Sequence, residues 1–414
     1  MKFQIPYGDD FLALELPDGR LTAVISPREI APVNEDDVIR SGFETAIPPF
    51  PEFISEFNNP LIILNDATRP TPTARILKYL DPEIRKLKNP NFIIACGTHR
   101  GATSEEIDCI LGPDLRQRYK DSIHSHDCRD DEMVNLGRTK AGTEVIINAR
   151  AMDSDVLVLI NSVEPHYFAG FTGGRKSIIP GIASHETIEK NHSLIMNQGV
   201  APLALEGNPL HEDIMEAIGF LDKPIYSIQT VLSGDNRIIG LFAGELEASF
   251  KAAVNVAADL FSVPVQEKAD IVIAVAVKPM DTNFLQAQKA IQNSIGILKD
   301  GGVMILVGCC RDGVGRGNFY DLMLKCRNPE STMEIARGEY RHGYHVAYNI
   351  AEIASRYNLL AVTDLPEKDS EILFLKNFDS VEKAFRRALE LTTLDASIAI
   401  NLQGTVTVPY VRDC

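Results

Sequence analysis

The chain has 414 residues, 45% hydrophobic and 24% charged, and carries 41 Lys+Arg against 57 Asp+Glu for a formal net charge of −16. That length allows two or three domains with sizeable cores. So acidic a balance excludes a broad nucleic-acid-binding face, which needs a basic footprint, but leaves room for one local pocket for a small anion.

The opening stretch Met1–Asp10 has no long apolar run, so no signal peptide is expected, and no apolar segment reaches the length of a membrane span. Seven cysteines occur, at 96, 109, 128, 309, 310, 326 and 414, with no CxxC pair. The odd count and the spacing argue against a disulfide framework or a thiolate zinc site and for a reducing, cytoplasmic setting.

In chain order, Phe3–Ile5, Leu12–Leu16 and Leu21–Ile25 are separated by turn residues and predict a small antiparallel meander. Short apolar runs rich in β-branched residues then predict strands at Leu61–Leu64, Phe92–Ala95, Val145–Asn148, Val156–Ile160, Asp270–Val277 and Val303–Val307. Helical segments are expected at Thr73–Leu80, Thr103–Leu111, from near Ser184, at Ala248–Leu260 and at Asn283–Leu298. Thr103 and Glu106 have capping-box spacing, and Gly112-Pro113 is a stop signal. Strands alternating with helices predict an α/β protein with mainly parallel sheets. A boundary near Ser262–Lys268 divides it into two α/β domains, 1–265 and 266–414, with an active-site cleft expected between them. There is no internal repeat.

Four polar clusters each follow a predicted strand: Asp66-Ala-Thr-Arg-Pro70, Gly97-Thr-His-Arg100, Glu164-Pro-His166, and Lys278-Pro-Met-Asp-Thr282 leading to Gln286 and Lys289. Ligands of open α/β sheets bind outside the carboxyl ends of the strands. Taken singly, each residue also has an ordinary reading. Thr68 and Arg69 could cap a helix and form a surface ion pair, and His99, His166 and His192 could be solvated or packed. Arg69 nonetheless suits bidentate carboxylate or phosphate binding, and Gln286 and Lys289 can share one helix face.

The run Gly170-Phe-Thr-Gly-Gly-Arg-Lys-Ser177 approaches a P-loop but fails it, because Arg175 separates Gly174 from Lys176. Backbone amides of Gly173 and Gly174 could still cradle a phosphate. The alternative is a flexible loop with solvated Arg175 and Lys176. No GxGxxG turn of dinucleotide type is present; Gly313-Val-Gly-Arg-Gly317 lacks the spacing. His124, His126, His211, His342 and His345 have no spacing that supports a metal site.

Together, Asp66-Ala-Thr-Arg69, Gly97-Thr-His-Arg100, the stretch from Glu164-Pro-His166 through Gly-Gly-Arg-Lys176 to Asn191-His192, and Gln286 to Lys289 resemble the nickel-pincer lactate racemase family. The motifs match in order and internal spacing and span most of the chain. The resemblance implies a pyridinium-3-thioamide-5-thiocarboxylate mononucleotide joined to Lys176 and carrying Ni(II), with His192 as the protein ligand to the metal. It implies that His99 and His166 are the acid/base pair and that Arg69, Gln286 and Lys289 hold substrate. Asp66, Ala67, Thr68, Gly173 and Gly174 would lie against cofactor. The implied reaction is inversion of C2 of a 2-hydroxy acid: reversible hydride transfer gives a transient 2-oxo acid, and two histidines serve the two hands of the substrate. Enzymes that build the cofactor are implied partners. Leu285 stands where lactate-specific members carry Tyr, which removes a hydroxyl from the substrate pocket and opens the choice of 2-hydroxy acid. The competing readings are a 2-hydroxy-acid dehydrogenase and a nickel or cofactor carrier without turnover.

Overall fold

A computed structural model describes residues 1–315 and 317–412; Arg316, Asp413 and Cys414 lie outside it. The chain forms two compact units, one of residues Glu29–Ala258 and one combining Met1–Arg28 with Asp259 onward.

The mid-chain unit is built on a six-stranded sheet in the order Ile238–Glu245, Ile225–Leu232, Val156–Ser162, Pro60–Asn65, Asn91–Ala95, Ile123–Ser125. All neighbours are parallel except Ile238–Glu245, which returns antiparallel on Ile225–Leu232. Strand residues alternate between two covered faces. Ile62, Leu64, Phe92, Ile94, Val158 and Ile160 enter one core, and Leu61, Ile63, Ile93, Leu157 and Leu159 the other. Burial on both faces is why these runs read as continuously apolar. From Pro60–Asn65 the chain first builds outward on one side, then returns to place Val156–Ser162 on the other. The order therefore reverses between these two strands, making their carboxyl ends the topological switch point at which open α/β sheets bind ligands.

The terminal unit has a second six-stranded sheet, all parallel, in the order Lys376–Phe378, Asn358–Val362, Leu298–Val307, Ala269–Val275, Ile398–Asn401, Leu21–Ile25. Its switch point lies between Ala269–Val275 and Ile398–Asn401. The α/β class and mainly parallel pairing are thus as the sequence predicts.

Several local expectations are corrected. Lys2–Tyr7 and Asp10–Glu15 do form an antiparallel hairpin, but Leu21–Ile25 leaves the predicted meander and pairs in parallel with Ile398–Asn401. The first 28 residues accordingly pack with the C-terminal part of the chain rather than within a 1–265 domain. Glu144–Asn148 is a strand, yet it pairs with Met133–Arg138 in a small antiparallel sheet instead of joining the six-stranded one. The helix expected over Asn283–Leu298 is divided into Phe284–Ala287, Lys289–Ser294 and a 3-10 turn Ile295–Ile297. Leu298 already belongs to the next strand, where Gly301 and Gly302 occupy a bulge: the register jumps from Ala269↔Leu298 to Ile271↔Val303. The capping box forms as expected, with Thr103 and Glu106 bonded reciprocally.

Candidate active site at the switch point

The carboxyl ends of Pro60–Asn65 and Val156–Ser162 are stitched together first. Asn65 Nδ2 donates to Thr71 Oγ1 at 2.8 Å, and Thr71 Oγ1 lies 2.9 Å from Ser162 Oγ. Just beyond, Arg69 Nη1 donates to Glu164 Oε1 at 2.6 Å, so the segment 66–69 is tied to the one that carries His166.

Asp66 is the hub of the first group. Its Oδ1 accepts from Thr68 Oγ1 at 2.6 Å, and its Oδ2 lies 2.7 Å from His99 Nδ1. Burial opposes ionisation of Asp66, but the His99 and Thr68 hydrogen bonds and the nearby charges outweigh it and hold the carboxyl below its ordinary range. The His99 side chain is 55% exposed while Asp66 is 11%, so the imidazole stands in solvent on a buried anionic foot. In a neutral ring, Nδ1–H donating to Asp66 leaves the lone pair on Nε2. Ala67 is exposed.

The second group centres on Phe168. Its ring lies 4.2 Å from that of His166 and 5.3 Å from that of His192, both edge-on, and Lys176 Nζ lies 5.0 Å from its centroid. Lys176 Nζ is also 3.3 Å from His166 Nε2. His166 Nδ1 faces the backbone amides of Phe168 and Ala169 at 3.5 and 3.4 Å. Buried Asn208 holds this corner by donating to Phe168 O at 2.9 Å. His192 is buried on the helix His185–Ser193, whose neighbouring Asn191 is anchored on Asp213 at 2.7 Å.

Lys176 sits on the 3-10 turn Gly174–Ser177. Gly173 (φ +87°) and Gly174 (φ +46°) have the backbone only glycine adopts without strain, and a Cβ on Gly173 would come within 2.5 Å of Val163 and 2.8 Å of Gln229. The Gly174 amide donates to Gln229 Oε1 at 3.1 Å. This corrects the expected phosphate cradle at Gly174: its amide serves a buried glutamine of the sheet, and both glycines are packed inward. Nor is Arg175 a solvated side chain of a flexible loop. It is 1% exposed, donates from Nη2 to Ala169 O and Phe171 O, and lies 4.4 Å over the Phe250 ring. Burial pulls its pKa down to about 9, and burial together with the Arg175 charge pushes the neighbouring His211 down to about 3.

In the terminal unit, Gln286 and Lys289 do share a face: Lys289 Nζ donates to Gln286 Oε1 at 2.6 Å. Asn283 caps the short helix Phe284–Ala287 that carries Gln286 by accepting from the Gln286 amide. Leu285 is half-buried, and its Cβ stands where a side chain on Gly315 would collide, at 2.8 Å. These residues follow Ala269–Val275, beside that sheet's own switch point.

Sequence reasoning missed Phe168, Glu164 as the partner of Arg69, and Asp66 as the partner of His99. The signal for the last two was present: each is a polar residue at the end of a strand bordering the switch point. Phe168 gave none, since aromatic residues are usually core. Among the described residues no three His, Cys, Asp or Glu side chains form a metal cage, and no helix is long and apolar enough to cross a membrane.

Models described as the lactate racemase N-terminal domain and the lactate racemase C-terminal domain match residues 7–202 and 265–408. The lactate racemase of Thermoanaerobacterium thermosaccharolyticum is 30% identical over 419 aligned positions, covering 97% of each chain. That of Lactiplantibacillus plantarum is 33% identical over 350, covering 80% of this chain and 81% of its own. The structure of the Thermoanaerobacterium lactate racemase apoprotein superposes over 100% of both chains with a TM-score of 0.93. A Thermotoga maritima protein, 18% identical, shares the fold with a TM-score of 0.71 over 92% of this chain and 99% of that one.

Proposed function

The chain belongs to the lactate racemase family, and from that premise we propose that it is a racemase or epimerase inverting C2 of lactate or a related 2-hydroxy acid. The observation that carries the reading is the Phe168 corner, where the Lys176 amine lies 3.3 Å from His166 and His192 packs on the same ring.

That corner fits a nickel-pincer pyridinium nucleotide. A lysine amine is available for a covalent tether, an aromatic ring offers a platform for a planar group, and one imidazole is at hand for the metal. A single His192 is a poor cage alone, so it would be the protein's contact to a metal that the nucleotide brings with it. Bound there, the nucleotide would supply a hydride acceptor, which no amino-acid side chain provides. Asp66, Ala67 and Thr68 would lie against the group, while Gly173 and Gly174 shape the turn that carries Lys176.

The protein's own residues do the rest. Arg69, Gln286 and Lys289 are the proposed substrate contacts, and the charge and planarity of Arg69 suit the substrate carboxylate. The Glu164 bond uses one of the five N–H donors of Arg69 and fixes the fork for a planar anion. His99, with Nδ1 held by Asp66, takes the hydroxyl proton at Nε2; His166 serves the opposite hand. Loss of the hydroxyl proton and of the C2 hydrogen as hydride leaves a planar 2-oxo acid. Return of both on the other face inverts the centre.

The Asp66–His99 pair favours turnover over a carrier, which would need Lys176 and His192 but no oriented base. We place the enzyme in the cytoplasm, alongside the enzymes that build its cofactor. The test is intact mass and nickel content of protein made together with those enzymes, wild type against Lys176→Ala. A mass increment with near-stoichiometric nickel, both lost in the variant, supports the reading and justifies a screen of chiral 2-hydroxy acids. A wild type with neither, when a known family member loads in parallel, would sink it. Leu285 makes the breadth of that screen matter, because an apolar side chain gives the substrate no hydroxyl to bond.

A further inference from the structure

Arg175 is an odd residue to bury. It is 1% exposed, and among the described residues it makes no ion pair; Nε and Nη1 have no hydrogen-bond partner. An uncompensated buried charge opposes folding, and a methionine would fill similar space without that cost. What the guanidinium does make is a bridge. It grows from the turn Gly174–Ser177 that carries Lys176. From Nη2 it donates to Ala169 O at 2.7 Å and Phe171 O at 3.2 Å, the carbonyls on either side of Gly170. Gly170 belongs to the two-stranded hairpin whose first strand, Pro165–His166, ends in the histidine. The ring of Phe250, on the helix Leu246–Phe261, lies with its centroid 4.4 Å from the guanidinium carbon.

We propose that Arg175 is the positioning residue that sets His166 against Lys176, by clamping the hairpin of one to the turn of the other. The 3.3 Å approach of Lys176 Nζ to His166 Nε2 is the distance it holds. A charged fork suits this task because one terminal nitrogen reaches two carbonyls pointing from different residues, and its planarity fixes the angle between them. The inference rests on the proposed roles of His166 and Lys176, but the clamp itself can be tested on protein that has never met a cofactor.

The variants are Arg175→Met and Arg175→Lys. In unloaded protein with 15N-labelled histidine, the His166 ring resonances, identified by their loss in His166→Gln, are expected to move in Arg175→Met and move less in Arg175→Lys. His124, bonded to Asp131 elsewhere in the unit, is expected to stay put. In loaded protein, Arg175→Met should lower kcat by about a hundredfold, as sub-ångström misplacement of a reacting group does, with little change in KM. Arg175→Lys should recover part of it. Unmoved His166 resonances in whichever variant folds, or equal movement of His124, would overturn the clamp. If wild type fails to load, it is the cofactor reading that fails, while the resonance experiment still decides the role of Arg175.

Discussion

Asp66 decides which nitrogen of His99 is free to accept a proton. Its carboxylate takes the Nδ1 hydrogen at 2.7 Å, and it can do so because Thr68 bonds its other oxygen and holds it in place. Asp66→Asn keeps the shape but loses the charge that fixes the tautomer, so kcat should fall by about a hundredfold or more, measured on loaded enzyme. Stability gives an independent reading. The folded-state pKa of Asp66 lies below the unfolded value. Its contribution is therefore fully present above roughly pH 4, the ordinary carboxylate range, and is lost as pH falls through the lower folded value. The stability gap between wild type and Asp66→Asn should close on acidification; a gap that stays constant into acid would mean the carboxylate is not the stabilising form. At this scale, position after a strand marked Asp66, Thr68, Arg69, His99 and His166 as candidates, and the glycine-rich run marked Lys176. Neither could show which of them pair, because pairing depends on strand order. Arg69 and Glu164 are 95 residues apart in sequence and meet only because Val156–Ser162 is laid parallel beside Pro60–Asn65.

The element that matters most to the site is also the smallest, the hairpin of Pro165–His166 and Gly170–Phe171. Gly170 makes its turn with φ +73°, and a Cβ there would lie 2.2 Å from Ala204 O. The carbonyl belongs to the backbone, so it cannot swing aside as a flexible side chain would. Gly170→Ala should cost on the order of 3 kcal/mol, combining backbone strain with overpacking, read as a lower denaturant midpoint with unchanged slope. A loss under about 0.5 kcal/mol, the range of ordinary surface substitutions, would mean the segment 203–205 yields. Capped helices were legible at this scale, as the reciprocal Thr103–Glu106 bonds attest. Elements set by distant pairing were not. Leu21–Ile25 reads locally as the third strand of a meander, but its apolar residues find a partner at Ile398–Asn401. Likewise Gly301-Gly302 reads as a stop, and the neighbouring strand absorbs it as a bulge.

At the scale of the whole molecule, the two units differ in how the chain supplies them. The mid-chain unit is one continuous segment, Glu29–Ala258, with a hydrophobic layer on each face of its sheet. The terminal unit is assembled from both ends of the chain. Ile5, Leu14 and Leu16 lie in one core with Ile271, Val303 and Phe385, and Leu21–Ile25 covers the edge of Ile398–Asn401. Cutting the chain at these boundaries should therefore give unequal products. A fragment 29–258 should fold alone and unfold cooperatively in denaturant, because every strand of its six-stranded sheet and every residue of the two described cores lies within it. A fragment 259–414 should not. It lacks the core side chains of Ile5, Leu14, Leu16 and Ile25, and its parallel sheet ends on a bare strand whose Ile398 and Ile400 are fully buried in the intact protein, an edge that invites aggregation. Joining residues 1–28 to it through a flexible linker should restore solubility and a cooperative transition, since the missing strand is then supplied within the same chain. A fragment 259–414 that is soluble and cooperatively folded without them would show that the N-terminal strands decorate this unit rather than complete it.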